Sequence, residues 1–344
     1  MVDDAPILEV HDLSVEYAGA TGPVVAVDRV SLTLGRGEFL GIVGESGCGK
    51  STLLFAIAQL LSAPAEIVAG SVLFHGQDLA HLREKDLRRV RWRDYAMVMQ
   101  SAMNALNPVL TVEAQLRDAM QAHQRISARA ARERGAEVLR LVGIDPIHLR
   151  SYPHQLSGGM RQRAMIAMAL VFTPDLIIMD EPTSALDVVA QRSLMAQIKE
   201  LQRRLGFAVI FVTHDMSLVS HFSDRLAIMY AGQVAELGAT RTVFAAPEHP
   251  YSRGLLNAFP SIVGPKVPLL GIPGSPPDLR QPPAGCRFHP RCPAVMEVCR
   301  VQEPPPYPRP DRDLVRCHLY APDARAGGRP ATTAGMGVSE EATL

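Results

Sequence analysis

The sequence contains no uninterrupted apolar run of the roughly 18 residues that a membrane-spanning helix needs. Its most apolar stretch, residues 165–180, is broken by Thr173, Pro174 and Asp175. The opening residues, MVDDAPILEV, lack a basic segment followed by an apolar one, so no secretory signal is expected. Net charge is also absent: 35 Lys plus Arg balance 35 Asp plus Glu. That excludes the basic excess of a general nucleic-acid binder, and no nucleic-acid partner is expected. Aromatic residues make up only 5% of the chain, so aliphatic side chains must do most of the packing. Cysteines number only five in 344 residues. These absences describe a soluble, cytoplasmic chain, where stable disulfides are unusual. No internal repeat is present.

What is there reads as one large domain with an appendage. Residues 7–17 and 24–34 partly alternate apolar and polar side chains, the pattern of half-buried antiparallel strands. EFLGIVGESGCGKSTLLFAIAQLL is a short apolar strand, a Gly-rich loop and a helix. GSVLFHGQDL adds a strand with a turn at His75-Gly76. Residues 113–142 are helix formers that end near Gly143, and their Arg, Ala and Glu content predicts an exposed helical lobe. A further helix follows LSGG and runs to about Phe172. DLIIMDEP and FAVIFVTHD read as buried strands, separated by a helix that stops at Gly206. RLAIMYAGQVAELG reads as a hairpin turning at Ala231-Gly232. Alternating strands and helices imply a largely parallel, covered sheet. From about Pro247 proline becomes dense. From about Ala324 the composition turns Gly-, Ala- and Thr-rich, and a disordered tail is expected.

GESGCGKST carries the spacing of a phosphate-binding loop from Gly44 to Ser51. Gly44, Gly47 and Gly49 let the backbone curl so that N–H groups of Glu45, Ser46, Cys48 and their neighbours face phosphate oxygens. Lys50 neutralises the outer phosphates, the Ser51 hydroxyl ligates Mg²⁺, and the helix through Thr52 aims its positive end at the same place. Cys48 is there as a small residue. About 130 residues on, LIIMDE places Asp180 and Glu181 at the end of an apolar strand. One carboxylate there can hold Mg²⁺ through water, and its neighbour can orient or deprotonate an attacking water.

LSGGMRQR, residues 156–163, stands just before DEPTSALD. Together with the phosphate loop, these motifs resemble the ATP-binding subunits of ABC transporters over about residues 7–240. The resemblance implies an α/β fold: a P-loop NTPase of ABC type with an antiparallel β subdomain, a RecA-like core, a helical subdomain and a small Cys/Pro-rich C-terminal extension. It also implies that Leu156, Ser157, Gly158, Gly159 and Met160 contact ATP held by the opposite subunit. A serine hydroxyl and bare N–H groups at a helix start form an anion site, which agrees. On the same grounds Gln100 corresponds to the glutamine that senses Mg²⁺ and the attacking water. His214 corresponds to the histidine that contacts the γ-phosphate, and Asp187 to the aspartate that communicates across the dimer. Tyr17, 27 residues before Gly44, corresponds to the aromatic that stacks on adenine. The catalytic set is then Glu181, His214 and Gln100, with Ser51, Gln100 and Asp180 around Mg²⁺.

SAMNALNPVLTV after Gln100, PEHPYSRGLLNAFP after the core, and GSPPDLRQPPAGCRFHPRCPAVMEVC resemble the oligopeptide/dipeptide importers, a group that includes nickel importers. This implies a peripheral subunit on the cytoplasmic face of the membrane. Its partners would be a second, non-identical ATPase, two transmembrane permease subunits and an extracytoplasmic solute-binding protein. Peptide is the expected solute. Nickel or another small solute, or a regulatory ATP-binding module without transport, remain the alternatives. The domains expected are an ATPase at 1–246 with the helical lobe at about 101–174, an extension at 247–323 and a tail at 324–344.

Four of the five cysteines, Cys286, Cys292, Cys299 and Cys317, lie in the extension, separated by five, six and seventeen residues. Four thiolates suit Zn²⁺ or an iron–sulfur cluster. The absence of a tight C-x₂₋₄-C knuckle favours a [4Fe–4S] cluster held by all four, with Zn²⁺ as the alternative. Arg287, Arg291, Arg300 and Arg316 beside them would offset cluster charge, while His289 and His318 are spare ligands or bystanders. PPPYPRP is a stiff spacer that cannot be helical. With no substrate path to it, the site is expected to staple a Pro-rich segment rather than to transfer electrons.

Overall fold

A computed structural model describes residues 5–19, 22–100, 105–184, 186–258 and 271–322. The tail expected at 324–344 lies outside these residues, as do residues 101–104 of the segment after Gln100. No helix among the described residues is long and apolar enough to cross a membrane.

The chain opens with strands β1 (Leu8–Tyr17) and β2 (Val24–Leu34), antiparallel as their alternation predicts. Strand β3 (Phe39–Val43) is buried at every position and leads through the Gly-rich loop into helix α1 (Lys50–Ile57). Strands β4 (Ala65–Phe74) and β5 (Gln77–Asp78) complete a four-stranded sheet of order β2-β1-β4-β5. Their turn is where the sequence places it, with His75 at φ 48° and Gly76 at φ 74°. After helix α2 (Glu84–Val90) and strand β6 (Tyr95–Val98) comes the helical lobe. Here the helix-forming residues over 113–142 make two helices, α3 (Val112–Gln121) and α4 (Ala128–Leu141). Thr111 and Ser127 cap them through their hydroxyls, and the second cap marks a restart that composition alone conceals.

Helix α5 (Gly158–Ala169) begins at Ser157, whose hydroxyl accepts from the N–H of Met160 at 3.3 Å. Strand β7 (Leu176–Asp180), helix α6 (Val188–Leu205), strand β8 (Ala208–Val212) and helix α7 (Met216–Phe222) follow. Helix α6 stops where Gly206 adopts φ 79°. Strands β9 (Arg225–Tyr230) and β10 (Gln233–Ala239) form the predicted hairpin. Strands β6, β7, β8, β3 and β9 run parallel, all covered, as a near-continuous apolar composition requires.

Helices α8 (Thr240–Ala245) and α9 (Pro250–Asn257) lead into the extension, which holds helix α10 (Glu297–Val301) and strands β11 (Tyr307–Arg309) and β12 (Arg312–Val315). The extension does not hang free. Strand β12 pairs with β10, so the second sheet runs β11-β12-β10-β9-β3-β8-β7-β6. The end of the PPPYPRP spacer is the edge strand β11, the one place in a sheet where alternating prolines fit. At the centre of this junction Glu236 and Arg312 are fully buried and paired. The Glu236 carboxylate also accepts from the N–H groups of Glu248, at 3.0 Å, and His249, at 2.9 Å. Phe288 packs against Tyr230, Tyr251 and His249, with ring centroids 5.2, 5.5 and 5.8 Å apart.

Candidate functional site

Two glycines shape the phosphate loop. A Cβ on Gly44, at φ 154°, would sit 2.2 Å from the Met229 carbonyl oxygen, and one on Gly49, at φ 102°, would sit 2.1 Å from that of Ala26. No other residue fits either position. The loop delivers Lys50 as the first residue of α1, and its Nζ donates to the carbonyl oxygens of Gly44 at 2.8 Å and Glu45 at 2.9 Å. Cys48 is buried, with its Sγ 3.7 Å from that amine. Burial pushes the Cys48 thiol up from its ordinary pKa, although Lys50 opposes this, so it stays protonated and inert.

Strand β7 ends beside this loop. The Ser51 hydroxyl donates to Asp180 Oδ1 at 3.2 Å, bringing together two expected Mg²⁺ ligands. Burial raises the Asp180 pKa, and the adjacent Glu181 charge adds to it, while the Ser51 hydrogen bond and Lys50 act the other way. A divalent cation at this position would favour the ionised carboxylate. Glu181 follows with φ 44°, a left-handed backbone that costs a non-glycine residue energy and is kept at sites where direction matters. Its N–H donates to Val212 O at 3.0 Å, which fixes the turn. Gln100 Nε2 donates to Glu181 Oε2 at 2.8 Å, and His214 Nδ1 lies 3.5 Å from Glu181 Oε1. Gln100, Glu181 and His214, far apart in sequence, therefore form one polar cluster.

Beside the loop is a cavity of about 410 Å³, lined on the cassette side by Tyr17, Val24, residues 45–48, Tyr230 and Ala231. The Tyr17 hydroxyl is 3.0 Å from that of Thr52. Leu156, Ser157, Gly158, Gly159, Met160 and Asp187 do not line this cavity. Ser157 and Asp187 are exposed N-caps of α5 and α6, and a Cβ on Gly159 would meet open space.

The extension adds residues that no motif announces. Tyr251 of α9 accepts the Glu45 N–H at 2.9 Å through its hydroxyl, and Arg291 binds the Glu45 carboxylate. Arg287 reaches the Ala231 carbonyl and Asp28. The four cysteines gather in one neighbourhood, where every pair of thiols interacts electrostatically. Burial pushes Cys286 up to about 11 and Cys317 up to about 12, and raises Cys292 as well. Among the described residues no group of three or more His, Cys, Asp or Glu is placed to hold a metal ion, so the metal site expected from their spacing is not shown. His289 and His318 are engaged by backbone carbonyls, those of Cys286 at 3.0 Å and Gln302 at 2.8 Å.

Comparison with known proteins agrees with this layout. A family model described as "ABC transporter" matches residues 27–184, and one described as "Oligopeptide/dipeptide transporter, C-terminal region" matches residues 235–299. The chain is similar to the dipeptide transport ATP-binding protein DppD of Bacillus subtilis, at 46% identity covering 93% of this chain and 96% of that one. It is similar to DppD of Escherichia coli K12 at 42% identity, covering 94% and 99%. It is also similar to the oligopeptide transport ATP-binding protein OppD of Salmonella typhimurium at 44%, covering 87% and 89%. Among solved structures, the ATP-binding cassette MJ0796, dimeric and bound to ADP and Pi, superposes with a TM-score of 0.61 at 29% identity. That match covers 68% of this chain and 99% of the cassette.

Proposed function

Because the chain belongs to the ABC transporter ATP-binding family, in its oligopeptide/dipeptide branch, we propose that its ATPase activity powers the import of short peptides. The observation that carries this reading is similarity along almost the whole chain, extension included, to ATP-binding proteins named for dipeptide and oligopeptide transport. Nickel or another small solute would use the same machinery. A regulatory module without transport has no observation in its favour.

In the proposed reaction the Gly44–Thr52 loop holds the phosphates, with Ser51, Asp180 and Gln100 around Mg²⁺. Glu181, oriented by Gln100 and His214, accepts a proton from water as the water oxygen attacks the γ-phosphorus. The bond to the β–γ bridging oxygen breaks, giving ADP and phosphate. Leu156–Met160 and Asp187 would serve the site of a second subunit. That none of them lines this chain's own cavity supports that, as do the neighbouring Val188 and Val189, which are 72% and 81% exposed. A non-identical second ATPase is the favoured partner. ATP would close the pair and hydrolysis open it, driving two permease subunits between inward and outward states. Met99, Val109 and Leu110, exposed apolar residues that flank Gln100 in sequence, suit a helix from such a permease. A solute-binding protein outside the membrane completes the complex, and this chain sits on the cytoplasmic face. The proposed domains are 1–246, with the helical lobe at about 101–174, 247–323 and 324–344.

For Cys286, Cys292, Cys299 and Cys317 we hold to a structural metal–sulfur site, [4Fe–4S] rather than Zn²⁺. The donor set, four thiols of which every pair interacts electrostatically, supports it. Such a group would order the extension and takes no part in hydrolysis. Tagged protein should copurify with two membrane subunits and support peptide uptake in a strain lacking it. Recovery without any membrane protein would sink the transport reading.

A further inference from the structure

The cavity beside the phosphate loop is not enclosed by the cassette alone. Pro276, Pro277, Asp278, Leu279 and Arg280, from the extension, line it together with Tyr17 and the loop. These residues lie more than 220 positions beyond the loop, yet they are held to it by a defined set of bonds. Arg291 pairs with the Glu45 carboxylate at 2.7 and 2.9 Å and donates through Nε to Pro273 O at 2.8 Å. The loop and the stretch of chain entering the 276–280 segment thus share one guanidinium. The segment itself is a closed turn. Asp278 Oδ1 accepts from the N–H of Arg280 at 2.9 Å, and the Asp278 carbonyl accepts from that of Gln281 at 3.1 Å. Two prolines before the turn remove backbone freedom. Leu279 is half-buried and packs against the main core.

A pre-formed turn that places one aliphatic side chain in a cavity also lined by an aromatic ring suits a flat, apolar ligand part better than a phosphate. We propose that the Pro276–Arg280 turn belongs to the nucleotide site, with Leu279 and Tyr17 together forming the apolar surface that receives the base. This rests on the reading that the cavity takes ATP. It makes the extension a determinant of affinity for the base, separate from the phosphate contacts made by residues 44–52. Leucine is the residue that matters because its side chain offers apolar area without a polar group to desolvate.

The test is equilibrium binding to the full-length protein, without Mg²⁺ so that nothing is hydrolysed, using ATP and inorganic tripolyphosphate as probes. Leu279→Ala should weaken ATP about five- to tenfold and leave tripolyphosphate unchanged. Leu279→Gln, which keeps the volume and adds polarity, should do the same, and Leu279→Met should restore wild-type affinity. Unchanged ATP binding in the Ala and Gln variants, or an equal loss for both probes, overturns the proposal. Failure of the wild type to bind ATP would instead bring down the reading on which it rests.

Discussion

Arg291 of the extension holds Glu45 of the phosphate loop through two charge-assisted hydrogen bonds, 2.7 and 2.9 Å long. The guanidinium is 6% exposed and the carboxylate 23%. A fork facing a carboxylate in this way restricts direction as well as distance, which a lysine would not. The consequence is that the first turn of the loop is braced from outside the cassette, with Tyr251 bracing the same residue through its N–H.

Arg291→Ala should therefore lower stability by about 2 kcal/mol, since it leaves a partly buried carboxylate without its partner. It should also weaken ATP and tripolyphosphate together, because the loop as a whole loosens. Arg291→Lys should recover only part of either loss. Thermal unfolding and binding titrations read both. Equal stability of the Ala variant and the wild type would show the pair to be incidental.

Glu181 is aimed by its left-handed backbone and held between Gln100 and His214. Glu181→Gln keeps the shape and the hydrogen bond to Gln100 but removes the proton acceptor. ATP binding should persist while turnover falls about 100- to 10,000-fold. Phosphate release at the wild-type rate would take Glu181 out of the general-base role.

The phosphate loop, Asp180, Glu181 and Ser157 were legible in the sequence because each is a local pattern with a local cause: glycines at positive φ, a strand end, a helix cap. Gln100 and His214 are single polar residues, readable only through the resemblance of their flanking motifs, and the structure brings both to Glu181. The bracing of Glu45 was not legible. Its partners are 206 and 246 residues away, and nothing local about an arginine between two cysteines says that it will meet a phosphate loop. The helical lobe shows the opposite limit. Composition over 113–142 is helical throughout, so the break before Ser127 is set by the cap and by packing rather than by propensity.

The cysteine site makes a chemical prediction. As free thiols, Cys286 and Cys317 hold their protons well above neutral pH because burial disfavours the thiolate. A metal would have to displace those protons. Protein purified without oxygen should contain iron and sulfide in equal amounts and absorb in the visible. Cys292→Ser should lose both and unfold at a lower temperature. Zinc without iron or sulfide would establish the alternative metal, and no metal at all would return the cluster to plain packing.

His249 links the extension to pH. It is buried, its Nδ1 accepts the Tyr251 N–H at 3.0 Å, and it bonds the backbone of Arg316. Burial lowers its pKa to about 3, and the Arg253 charge contributes. The unfolded chain takes up this proton below about 6.5, whereas the native protein does so only near the lowered value. The unfolded state therefore binds more protons between these limits, and stability must fall as pH drops through that window. At pH 5 the loss from this residue is about 2 kcal/mol. His249→Gln should flatten that part of the stability profile, measured by denaturant unfolding between pH 5 and 7.5. An unchanged slope would mean that another group carries the acid limb.

The deepest tie between cassette and extension is Glu236 with Arg312, both at most 1% exposed in their side chains. Arg312→Met alone strands a carboxylate in the core, although two N–H groups still reach it, and should cost about 3–5 kcal/mol. Glu236→Gln alone leaves the guanidinium to its weaker contacts with Asp311 and Glu248. The double variant leaves no buried charge, so its loss should be well below the sum of the two single losses. The sheet pairing between β10 and β12 should survive in it, because backbone bonds at Glu236–Val315 and Leu237–Leu314 do not need the side chains. Chemical denaturation of the three variants gives the coupling directly. Additive losses would show that Glu236 acts mainly through the N–H groups of Glu248 and His249, and that Arg312 is held by its other neighbours.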